Sequence, residues 1–179
     1  TELSDQRKVA LLSGADDWHT EAVPELGLEA VLMADGPHGL RKVMSASLAD
    51  LQASEPATCF PTGSALAATW DRVLAGDVGR AIGREAVAEG VGVVLGPAVN
   101  LKRHPAAGRN FEYFSEDPLL AGELAVAWID GVQGEGVGTS LKHFAVNNQE
   151  ANRMVVDAIV DPATLRELRL IARQRQKLM

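Results

Sequence analysis

A single cysteine, Cys59, stands in the 179 residues, which excludes an internal disulfide framework and a thiolate zinc pattern. With no neighbouring sequence that argues for activation, Cys59 reads as a buried, inert thiol. The four histidines (His19, His38, His104 and His143) are scattered and lack metal-ligand spacing. No apolar run is long enough to span a bilayer, and no signal peptide is visible. With one cysteine and no visible leader, a cytoplasmic location is expected. No Asn-x-Ser/Thr acceptor occurs. The net charge of −7 argues against nucleic acid or an anionic membrane as partner. Arg166, Arg169, Arg173, Arg175 and Lys177 do cluster near the C-terminus, as a solvated helix face does.

Two familiar motifs are also missing. Gly134-x-Gly136-x-Gly138 precedes an apolar run instead of following one, so it is no dinucleotide loop. Gly63-Ser64 lacks the Gly-x-Ser-x-Gly elbow of a serine nucleophile. What is present is a 46% apolar chain, enough for one domain with a sizeable core.

The elements follow from punctuation and periodicity. Ser4 caps a short helix through Leu11 and Leu12, stopped by Gly14. Val31–Ala34 reads as a buried strand ending at Asp35-Gly36-Pro37. Residues 42–64 form a long irregular stretch. Asp71 opens a helix whose buried stripe is Leu74, Val78, Ile82 and Ala86. Val91–Leu95 is a second strand, stopped by Gly96-Pro97. After a polar loop, Asp117-Pro118 starts a helix with Leu120, Leu124, Ala127 and Trp128 on its apolar face. Val137–Phe144 is the third strand, residues 154–160 a short extended piece, and Asp161-Pro162 opens a last helix carrying Leu165, Leu168, Ile171 and Ala172. Strands alternating with helices imply parallel pairing with right-handed crossovers. Three strand–helix units fit a small open sheet or the first part of a barrel.

Three stretches carry the candidate chemistry. Asp35-Gly36-Pro37-His38-Gly39-Leu40-Arg41 reads either as a plain turn or as a strand mouth. At a strand mouth, Asp35 accepts from substrate hydroxyls and Arg41 supplies a forked donor. From Gly108-Arg109-Asn110-Phe111-Glu112 on to Pro118, the donors and acceptors Arg109, Asn110, Glu112, Tyr113, Ser115, Glu116 and Asp117 crowd about ten residues with Phe111 and Phe114 among them, which suits a sugar but also a loop held by internal salt bridges. Lys142-His143 follows a strand. A lysine there is seldom buried unpaired, so it pairs with Glu112 or Glu150, binds substrate, or does both.

Together and in order, these motifs, with Ser115-Glu116-Asp117-Pro118, Asn147 and Arg153, resemble the N-terminal domain of glycoside hydrolase family 3, especially its bacterial β-glucosidases. The similarity runs from about Leu11 to Leu168. It implies an α/β fold, a partial (β/α) TIM-barrel-like domain of roughly the first three strand–helix units. It also implies retaining hydrolysis of terminal β-D-glucosyl residues, with no metal or organic cofactor. Asp35, Arg41, Arg109, Lys142, His143 and Arg153 map onto the family's sugar-binding positions.

The retaining mechanism needs two carboxyl groups about 5–5.5 Å apart. The family's Asp nucleophile is expected some tens of residues after Met179, and its acid/base in a following α/β-sandwich domain. Residues 1–179 are therefore expected to be a truncated N-terminal portion without either. Asp17 is the one aspartate followed by Trp, but it precedes the first matched strand. Beyond Leu168 the chain departs from the family's apolar, Pro-containing run. The partner is expected to be a β-glucoside or short β-gluco-oligosaccharide, with self-association through uncovered barrel edges. A non-catalytic sugar-binding module and a non-functional fragment are the competing readings.

Overall fold

The computed structural model describes residues 3–44 and 53–166. Its elements are α1 (Asp5–Ala10), a 3-10 turn (Pro24–Leu26), β1 (Met33–Asp35), α2 (Gly63–Ala67), α3 (Arg72–Ala88), β2 (Val93–Leu95), α4 (Pro118–Gly134) and β3 (Gly138–Thr139). Residues 162–166 are helical. Leu168, Ile171 and Ala172 of that expected helix, and the basic residues from Arg169 to Lys177, lie outside the described residues.

The helix starts are where capping chemistry puts them. Ser4 Oγ accepts from Arg7 N, and Asp71 Oδ1 accepts from Val73 N and Leu74 N at 2.8 and 3.0 Å. Asp117 Oδ1 accepts from Leu120 N at 2.9 Å, with Pro118 supplying a first helical residue whose missing N–H costs nothing. Asp161 caps the last helix through Ala163 N and Thr164 N. Each cap satisfies amides that the helix cannot, worth about 1 kcal/mol.

The three strands form one parallel sheet in the order β1-β2-β3, with Met33 opposite Val93 and Val93 opposite Gly138. Sequential parallel order without reversal is the order of a (β/α) barrel wall, whereas a doubly wound sheet reverses. Ala34 and Val94 are buried in the middle of their strands. Over them pack α3 and α4, with Ile82, Ala86, Leu124 and Trp128 fully buried.

The two helices meet backbone to backbone. A Cβ on Gly79 would lie 2.2 Å from Trp128 O, and one on Gly131 would lie 2.3 Å from Gly76 O. This seam displaces the expected stripe. Val78, Ile82 and Ala86 are buried as anticipated, but Leu74 is 40% exposed and Gly76, Gly79 and Gly83 face the neighbour in its place.

Other expectations are corrected. Helix α2 occupies residues otherwise read as featureless. The third strand is two residues long, because Lys142 pairs alone with Ala98 and the chain then turns. Residues 154–160 form no strand: 154–159 are exposed, Ile159 above all, and the amides of Val155 and Val156 turn back to Asn152 O instead of joining a sheet. Cys59 is exposed, because its loop lies outside the α3–α4 core. No helix among the described residues is long and apolar enough to cross a membrane.

Candidate active site at the strand mouths

The three candidate stretches converge at the C-terminal ends of the parallel strands. Asp35 is the last residue of β1. Its carbonyl accepts from Arg41 N at 2.8 Å, closing the intervening turn. Gly36 makes that turn possible: its φ is +138°, and a Cβ there would sit 2.1 Å from Gly39 O. The Asp35 carboxylate accepts a hydrogen bond from the ammonium of Lys142, 107 residues away in sequence. Both are largely withdrawn from water, Lys142 more so, with side-chain exposures of 15% and 31%. The expected partners of Lys142, Glu112 and Glu150, are instead paired with Arg109 and Arg153.

Arg109 is fixed from below. Its guanidinium donates to Glu112, which is 4% exposed. Burial works against the charge on Arg109, but the Glu112 carboxylate outweighs it and raises its pKa. The loop between them is buttressed by α2. Ser64 N donates to Phe111 O at 3.1 Å, and Ser64 Oγ donates to Asn110 O at 2.8 Å. Lys102 Nζ donates to the same hydroxyl at 2.6 Å, and burial lowers its pKa. A Cβ on Gly63 would fall 2.2 Å from Glu112 O, so α2 and the loop touch through their backbones.

Asp35, Arg41, Arg109, Phe111 and Glu112 line a cleft of about 320 Å³, together with the turn from Gly36 to Gly39. Lys142 joins it through Asp35. His143 lies behind. Asn100 clamps its backbone, accepting from His143 N at 2.7 Å and donating to His143 O at 3.1 Å. The His143 ring meets Tyr113 edge to face, with Tyr113 Oη 3.1 Å from Nδ1. Burial, then the charges of Arg109 and Lys142, push the His143 pKa down to about 4. Burial raises Tyr113 to about 12. Arg153 is the outlier: half-exposed, it reaches the group through Glu150 at 3.4 Å.

Several participants were not singled out from sequence. Tyr113 is 1% exposed and accepts from Asn147 Nδ2 at 2.8 Å. His38 stacks edge-on against Phe111 at 5.6 Å, and its Nδ1 is buried without a partner. Burial lowers its pKa, as does Lys142, against the pull of Glu112 and Asp35. Asn147, by contrast, stands among the motif residues of the family resemblance; nothing local flags Asn100 or Ser64.

Chemically, the cleft presents cations, carboxylates and an aromatic face within one small volume, the complement of a polyol with apolar ring faces. Among the described residues, no group of three His, Cys, Asp or Glu is placed to hold a metal ion.

Comparison with known proteins agrees with this geometry. The family model described as "Glycosyl hydrolase family 3 N terminal domain" matches residues 15–174. The chain is 57% identical over 164 residues to thermostable beta-glucosidase B of Acetivibrio thermocellus, covering 91% of this chain and 22% of that protein. It is 50% identical over 169 residues to an exo-alpha-(1->6)-L-arabinopyranosidase of Bifidobacterium longum, again 22% of its length. The solved beta-glucosidase 3B of Thermotoga neapolitana in complex with alpha-D-glucose superposes with a TM-score of 0.80 at 44% identity, over 93% of this chain and 25% of that one. This chain thus spans about a fifth to a quarter of such relatives, and by its matched residues, its parallel barrel-wall sheet and its strand-mouth motifs it belongs to glycosyl hydrolase family 3, as part of that family's N-terminal domain.

Proposed function

We propose that these 179 residues provide the hydroxyl-gripping wall of a β-glucosidase pocket for a terminal β-D-glucosyl residue. Asp35 accepts from sugar hydroxyls while Lys142 and Arg109 donate to them. His143 adds a further polar contact, and Arg41 and Arg153 hold the surrounding charge in balance. The observation that carries this reading is the meeting of Asp35 and Lys142 beside the Arg109–Glu112 pair at one end of a parallel sheet. Charged groups at that end of the strands are where barrels do their chemistry.

Hydrolysis with retention needs a nucleophile and an acid/base about 5–5.5 Å apart. Neither role falls to Asp35 or Glu112. Asp35 is committed to Lys142, and Glu112 is buried against Arg109. On this reading both reacting carboxyls are contributed by residues other than these 179, and this wall supplies orientation and binding. The exposed side chains of Met154, Val155 and Ile159 also support self-association, which light scattering of a concentrated sample would reveal as a mass above 19.0 kDa.

A chromogenic β-glucoside tests the assignment. The 179-residue chain should show no turnover. Turnover that disappears in Asp35→Ala would mean that a reacting group lies within it. Because one relative is named for L-arabinopyranose, glucose and L-arabinose belong in the same binding series.

A further inference from the structure

A chain of polar contacts runs from Arg153 to His143, and its direction is fixed from one end. Arg153 Nη1 meets Glu150 Oε2 at 3.4 Å. Glu150 Oε1 lies 3.0 Å from the side-chain amide of Asn147. A carboxylate only accepts, so the edge of Asn147 that faces it is the NH2. The same Nδ2 reaches Tyr113 Oη at 2.8 Å, and it can only donate there as well. The phenol oxygen is thus an acceptor toward Asn147, and its own proton points elsewhere. Its other partner is His143 Nδ1 at 3.1 Å. If Nδ1 carried a proton, the phenol oxygen would have to accept from both neighbours and its own buried proton would lose the acceptor it has in His143, which costs about 1–3 kcal/mol.

We propose that Tyr113, oriented by Asn147 and Glu150, holds His143 as its Nε2–H tautomer, so that the imidazole offers a sugar hydroxyl a donor and never an acceptor. Tyr113 and Asn147 are then positioning residues, acting through His143. The inference rests on the proposed sugar-binding role of His143 only in its last clause; the tautomer is a property of the sugar-free protein. The competing acceptor for Nδ1–H, Asn100 Oδ1, is farther away at 3.3 Å and already accepts from His143 N at 2.7 Å. The depressed basicity of His143 agrees with a neutral ring, and the raised pKa of Tyr113 keeps its proton available.

Long-range proton–nitrogen NMR of the uniformly 15N-labelled 179-residue chain at neutral pH tests it, with the His143 signals identified by their loss in His143→Gln. His143 should show a protonated Nε2 and an unprotonated, hydrogen-bonded Nδ1. Asn147→Ala frees the Tyr113 oxygen to accept, so signals of the Nδ1–H form should appear. Tyr113→Phe removes the donor and should move Nδ1 toward the position of an unbonded nitrogen. If Tyr113→Phe does not fold, Asn147→Ala alone carries the decision. A protonated Nδ1 in the wild-type protein, or an unchanged tautomer in Asn147→Ala, overturns the proposal. Glucose added to the same samples tests the sugar role separately. A wild-type Nε2–H form whose signals ignore glucose would sink the binding reading and leave the tautomer standing.

Discussion

Gly79→Ala is the sharpest test of how the helices carry the site. The added Cβ would lie 2.2 Å from Trp128 O and 3.0 Å from Trp128 C, both backbone atoms. Carbon and carbonyl oxygen ordinarily approach to about 3.3 Å, so α3 and α4 must part by roughly 1 Å at their crossing. No flexible side chain is there to yield, and Ile82, Leu124 and Trp128 around the contact are fully buried. Overpacking of this kind costs about 3 kcal/mol at the upper end of its range. Alanine returns about 1 kcal/mol of helix propensity. The net loss is about 2 kcal/mol, a fall in Tm of roughly 4–8 °C for a chain of this size.

Gly134→Ala is the control. It sits at the end of α4 with nothing within 4 Å of an added Cβ, and should be neutral or slightly stabilising. Calorimetric melts of the two variants beside wild type decide the matter. The displacement should also reach the cleft. Trp128 Cη2 lies 3.2 Å, and Pro37 Cα 3.1 Å, from where a Cβ on Gly96 would be, so the indole and the turn after Asp35 both pack against Gly96. A Gly79→Ala protein as stable as wild type would refute the backbone-contact account of the α3–α4 seam.

Asp35→Ala should destabilise more than Lys142→Met, by about 3 against 1–2 kcal/mol, because the lysine left behind is the less solvated partner. Urea titration of both and of the double variant should show coupling between them; simple additivity would remove the ion pair from the account. Stability should also depend on pH through His143. Its folded pKa lies below the ordinary 6.5, at about 4, so between those values the unfolded chain takes up a proton that the folded one refuses. This contribution is complete above pH 6.5 and is lost as pH falls to about 4, at most about 3 kcal/mol and nearer 1–2 once solvent at the half-buried ring is allowed for. Urea midpoints of His143→Gln against wild type across that range test it, and an equal fall in both would assign the pH dependence to other groups.

Much of the architecture was legible because local rules agreed. Asp71, Asp117 and Asp161 announce helix starts, and the alternation of strand and helix announces parallel pairing. The three motifs at the strand mouths were readable too, as was their convergence. What sequence could not show is set by non-local contact. The partner of Lys142 lies 107 residues away, whereas the nearer Glu150 was the obvious candidate. The burial of α3 is shifted toward its glycines, which carry no apolar side chain and are therefore invisible to a hydrophobic stripe. Helix α2 is five residues long, too short to show a period, yet it buttresses the Arg109 loop. Tyr113 looked like one ring among several until His143 and Asn147 were seen to meet at its hydroxyl.

The central claim is that Asp35, Lys142, Arg109 and His143 form a wall that grips a sugar. Titrating glucose into the 15N-labelled chain while following the backbone amides of these residues tests it most directly. The account predicts saturable shifts centred on Asp35, Arg109 and His143 that vanish in Asp35→Ala while the melting curve stays cooperative. Shifts that do not saturate, or that persist unchanged in a folded Asp35→Ala protein, would contradict it.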